Sequence, residues 1–256
     1  MGHERVGFLP RSRQWRTVVE GLTAAAGSDA AIQRVAAGTL QNVRQRLADI
    51  QEDNGVLTAL GYIVALTSAH LPDEGTTLVP QIDLSADPSP VALSQQLSRR
   101  VRDNAESGEY AALATRAAAD AIAYWTRRHS HQTQLFAPLS AAALWQRAAS
   151  GGAFSELARV FFARFIERYL RYFLEREASA EIPSIRQREI FEERLTQHLY
   201  TVSGHAFEST KITQSFAAGW FNKHARRARP PDESVRAFFA FALSKLRAEL
   251  EREQMA

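Results

Sequence analysis

The amino-acid sequence predicts an all-α protein, a multi-helix bundle of about nine helices. Three observations predict it. Apolar residues recur at helical spacing, i, i+3, i+4, i+7, through most of the chain. The breaks between periodic stretches fall at Pro, Gly, Ser and Asp, which stop or cap helices. The one stretch that could run extended, "TTLVPQIDL", contains Pro80, which cannot donate to a sheet ladder and argues against a central strand.

The elements follow in order. After Pro10, Trp15, Val18, Val19 and Leu22 line one face of a first helix, which Gly27 ends. Ser28 or Asp29 caps a second helix by accepting from a free backbone N–H, and Ile32, Val35, Leu40, Val43, Leu47 and Ile50 point inward from it. "EDNG" turns the chain, because Asn and Gly tolerate positive φ. The most apolar stretch, Val56 to Leu71, is 16 residues long and contains Thr58, Thr67, Ser68 and His70. It is too short and too interrupted to span a bilayer, so it reads as a buried helix.

From Pro72 to Pro90 periodicity is lost, and four of the nine prolines lie there. Irregular segments of this length are uncommon in compact domains and are usually functional or linking. This one is expected to be an exposed loop whose Leu78, Val79 and Ile82 carry a partner contact. It divides the chain into N-terminal helices (1–71), a Pro-rich loop (72–90) and a C-terminal helical bundle (91–256), the two helical parts being compatible with one continuous domain.

Ser89-Pro90 opens the next helix, since proline's missing N–H costs nothing in a first turn. Val91, Leu93, Leu97 and Val101 are its expected buried stripe. "SGEYAALATRAAADAIAYWTRRHSHQ" is alanine-rich enough for close helix contacts, and "PLSAAALWQRAASGG" is a shorter helix stopped by Gly151-Gly152. The strongest signal is "AFSELARVFFARFIERYLRYFLEREAS". Phe154, Leu157, Phe161, Phe162, Phe165, Ile166, Tyr169, Leu170 and Phe173 form a stripe at least about 100° wide, suited to the centre of a bundle. Glu167–Arg171 and Arg171–Glu175 are expected ion pairs on its other side. Pro183-Ser184 starts a helix burying Ile185, Ile190, Phe191, Leu195 and Leu199. "ESTKITQSFAAGWFNKHARRAR" follows. Asp232, after "PPD", caps a last helix with Val235, Phe238, Phe239, Ala242, Leu243, Leu246 and Leu250 inward.

Composition bounds the function. The chain has no cysteine, which excludes disulfides, thiolate metal sites and cysteine nucleophiles. The N-terminal "MGHERVGFLPRSRQWR" lacks the apolar core of a secretory signal, so the cytoplasm is the expected compartment. Residues 1–128 hold 13 basic and 14 acidic side chains, and 129–256 hold 18 and 14, so the positive charge lies in the second half. No Walker A, G-x-G-x-x-G or G-x-S-x-G motif occurs, and no Glu-x-x-His pair of the di-iron type. His129 and His131 diverge by about 200° on a helix and lack nearby carboxylates, so no metal or other cofactor is expected. The crowded "SGHAFESTKITQS" is accounted for by Ser209 capping a helix.

One constellation points outward. Lys211, Lys223, Arg226, Arg227 and Arg229 lie between Glu208 and Asp232 with no carboxylate among them, and Trp220 and Phe221 sit beside them as stacking faces. Cations also belong at a helix C-terminus, where each gains about 0.3–1 kcal/mol from the dipole. Arg11 and Arg13 form a second basic cluster in the N-terminal arm. The expected function is that of a non-catalytic helical subunit or adaptor, acting by protein–protein interaction in a cytoplasmic assembly. The alternatives are a nucleic-acid-binding module using 211–229 and an enzyme whose site is assembled from distant helices.

Overall fold

The computed structural model describes residues 50–72, 75–104, 109–130, 140–186 (without 182 and 183) and 212–253, together with 17, 20, 21, 189, 190, 193 and 194. Among the described residues there are seven helices of defined extent and no strand. They are α1 (Asn54–Thr67), α2 (Pro90–Asn104), α3 (Glu109–Ser130), α4 (Ala141–Arg147), α5 (Gly151–Glu181), α6 (Ile212–His224) and α7 (Asp232–Glu253). The all-α expectation holds at this level. The first two expected helices lie outside the described residues, apart from helical backbone at Thr17, Glu20, Gly21 and Ile50. No described helix is long and apolar enough to cross a membrane.

At the centre of the described core lies α1. Asp53 caps it by accepting from Val56 N at 2.9 Å, and every residue from Gly55 to Thr67 is buried. A helix apolar on all sides must be covered on all sides; α1 packs against α2, α3, α5 and α7 and, more lightly, α4. Its polar residues are satisfied locally: Thr67 and Ser68 hydroxyls each donate to Val64 O at 2.8 Å. Tyr62 donates to Gln96 Oε1 at 3.2 Å, and burial raises its phenol above the ordinary tyrosine range.

Around α1, α5 packs most extensively on α6 and α3. Phe154, Leu157, Phe161, Phe162, Phe165, Ile166, Tyr169 and Leu170 are all buried, as the stripe predicts. Each such aromatic contributes about 1.5–3 kcal/mol by leaving water. On the outer side Arg171 pairs with Glu175 at 3.6 Å, but Glu167 takes Arg164 at 2.7 Å rather than Arg171. Gly151 and Gly152 are the first residues of α5, not a stop between helices. The reason is packing: a Cβ on Gly151 would lie 2.7 Å from Ala218 O of α6.

Two further expectations change. Val91 is 66% exposed, because the buried positions of α2 are Leu93, Leu97 and Val101, spaced by four, and Val91 lies off that line. Ile185 and Ile190 are exposed rather than inward; Phe191, Leu195 and Leu199 lie outside the described residues.

The irregular segment is the largest correction. Its described polar residues other than Thr76 are exposed, but Leu78, Val79 and Ile82 are buried at 4%, 0% and 5%. They join one hydrophobic cluster with side chains from both flanking helical parts, so they are not available as a partner contact. Gly61 makes this possible. A Cβ there would lie 2.2 Å from Leu78 O and 2.9 Å from Leu78 C, so only glycine lets this backbone lie on α1. Gly61→Ala is expected to cost about 1–3 kcal/mol, the usual size of overpacking. Denaturant unfolding, with limited proteolysis of the segment, measures it; an unchanged midpoint would mean that the segment is not seated on α1. The far end of the segment is held by Asp87, whose φ of 50° is tolerated by Asp and whose Oδ1 accepts from Ala141 N at the start of α4.

Candidate partner-contact surface

The basic run folds into the corner between α6 and α7, and its members separate there. Ala225 N closes the last turn of α6 on Phe221 O at 2.9 Å. Residues 225–231 then carry the chain round without helix, and Ser234 N on Pro231 O begins α7. In this tight corner Ala225, Arg229 and Pro230 face inward, whereas Lys223, Arg226 and Arg227 face solvent. Arg229 is 1% exposed, and its Nη2 donates to Leu71 O at 3.1 Å. It therefore belongs to the seam between the corner and the end of α1, not to an outward grip.

The expected stacking faces are also internal. Trp220 is buried, its Nε1 donates to Ser234 Oγ at 3.2 Å, and its ring lies 4.6 Å from Phe238 and 5.5 Å from Phe154. Phe221 is fully buried and stacks on Phe154 at 5.1 Å. Neither offers a face to a base. Lys211, Arg11 and Arg13 lie outside the described residues.

The corner is fixed from behind. Asp232 accepts from Leu78 N at 2.8 Å and from Thr77 N at 3.2 Å, tying the irregular segment to the start of α7. Arg100 donates to Thr77 O, and Arg236 donates to Asn54 Oδ1 at 3.3 Å. Elsewhere Arg128, Arg164, Arg168 and Arg171 each pair with a carboxylate. Lys223, Arg226 and Arg227, like the exposed Arg99, Arg102, Arg116 and Arg147, form no ion pair or hydrogen bond with a described residue. Three exposed cations lie within five positions on a corner tied down by part-buried and exposed hydrogen bonds, a cluster of charge that can bind anions.

The other candidates are structural in character. His129 lies tilted against Trp125 with ring centroids 3.8 Å apart, and His131 lies outside the described residues. Among the described residues no group of three or more His, Asp or Glu could hold a metal ion. Sequence reasoning missed one polar cluster between α3 and α5. Tyr124 donates to Glu156 Oε1 at 2.6 Å, Arg128 approaches the same oxygen at 3.3 Å, and Arg168 pairs with Asp120 at 2.6 Å. Burial and the Glu156 carboxylate raise the Tyr124 phenol above its ordinary value. No local motif could have marked these pairs, whose partners are 32 and 48 residues apart.

Comparison with protein-family models, with curated proteins and with solved structures finds no match.

Proposed function

We propose that this chain is a non-catalytic helical subunit of a cytoplasmic assembly that works by protein–protein interaction, docking an acidic partner face on the α6–α7 corner. The observation that carries this reading is the contrast within the basic run. Lys223, Arg226 and Arg227 are exposed without a described carboxylate, while Trp220, Phe221 and Arg229 are spent on the core. Proteins that hold single strands combine cations with exposed aromatic platforms. Here only the cations are outside. Guanidinium groups match carboxylates and phosphates alike, so it is the lack of an exposed aromatic platform that favours an acidic protein face over a single strand.

The test is titration of the full chain with a polyglutamate peptide and with mixed-sequence DNA, single-stranded and duplex, at two salt concentrations. Wild type is expected to bind the peptide more tightly at low salt, and Lys223→Gln/Arg226→Gln/Arg227→Gln to lose about tenfold, a few exposed charge contacts' worth. Binding of DNA but not of peptide, with a steep salt slope lost in the variant, would replace this reading by the nucleic-acid one. Equal binding by wild type and variant would remove the corner from either.

A further inference from the structure

A cleft of about 430 Å³ opens where the C-terminal end of α1, the second half of the irregular segment and α4 meet. This size falls within the range of about 300–1,000 Å³ typical of small-molecule sites. Leu66, Ile82, Leu84 and Trp145 give it apolar walls. The one fixed charge in its lining is negative. Asp83 stands in the lining, no lysine or arginine does, and His70 is the other ionisable group there. The C-terminus of α1 carries the negative end of a helix dipole, which the buried Arg229 guanidinium on Leu71 O offsets in part. Asp83 is held by Ser85, whose backbone N–H donates to Oδ1 at 2.8 Å; this hydrogen bonding lowers the Asp83 carboxyl below its usual value.

We infer that this cleft binds a small organic cation, an ammonium group on an aromatic or branched alkyl body. The apolar body lies against Leu66, Ile82, Leu84 and Trp145, and the ammonium faces Asp83. Such a site gives the irregular segment a second role: Ile82 is buried in the core and Leu84 packs against it, while Asp83 between them is exposed in the cleft lining. A carboxylate ligand meets like charge here, and a neutral ligand of the same shape gains only the apolar contact.

The experiment is isothermal titration of the full chain with 2-phenylethylamine, 2-phenylethanol and 3-phenylpropionate at low and high salt. The amine is expected to bind about fivefold more tightly than the alcohol at low salt, the difference shrinking at high salt, and the acid most weakly. Asp83→Asn should bring the amine down to the level of the alcohol without affecting the alcohol. Ala142→Phe, at an exposed position in the cleft lining, should block both while leaving the melting temperature near wild type. The Lys223→Gln/Arg226→Gln/Arg227→Gln variant should bind the amine as wild type does, which separates this site from the corner. Equal binding of amine, alcohol and acid, no binding of any of them, or an amine preference that survives Asp83→Asn would overturn the inference.

Discussion

Phe161→Ala is expected to cost about 3–5 kcal/mol of stability, the range for deleting a buried aromatic side chain. Phe161 is fully buried, with Phe162 edge-on at 5.3 Å and Phe165 stacked at 6.2 Å. Truncation removes the transfer free energy of the ring and leaves a void between α5 and its neighbours, which close packing cannot fully collapse. In a chain of this size the melting temperature should fall on the order of 10 °C. A midpoint near that of wild type would place this face of α5 outside the core.

Arg229→Ala is expected to destabilise by about 2–5 kcal/mol, although it lies in the most basic stretch of the chain. Its side chain is among the largest fully buried ones, so truncation creates a cavity and leaves Leu71 O without its guanidinium donor. Arg229→Lys should not rescue it fully, since an ammonium lacks the planar fork. Arg227→Ala, two positions away and exposed, should stay within about 0.5 kcal/mol of wild type. Denaturant unfolding of the three variants decides it. Equal, small effects at 227 and 229 would return Arg229 to the solvent-facing run.

Phe161 and Arg229 mark where sequence reading succeeds and where it stops. Phe161 was legible because side chains three and four positions apart share a face, and a stripe spanning Phe154 to Leu170 can hardly be placed in water. The Ser89 cap was legible for the same local reason, and Ala92 N does donate to its Oγ at 3.2 Å. Arg229 was not legible. In "KHARRAR" nothing local separates Arg226 and Arg227 from Arg229, and the acceptor that draws it inward is 158 residues away. The same holds for Leu78, whose seat depends on the absence of a Cβ at Gly61.

The sequence by itself determined the all-α class, the course of the long apolar stripes and the lack of cysteine chemistry, because helical periodicity and composition are properties of neighbouring residues. Tertiary structure alone decided which cations face solvent, that Trp220 and Phe221 belong to the core, and that the irregular segment lies on α1 and walls a cleft. Those outcomes depend on which distant groups meet, and burial of a charge or of a loop is favourable only when a specific acceptor or a gap in another element receives it.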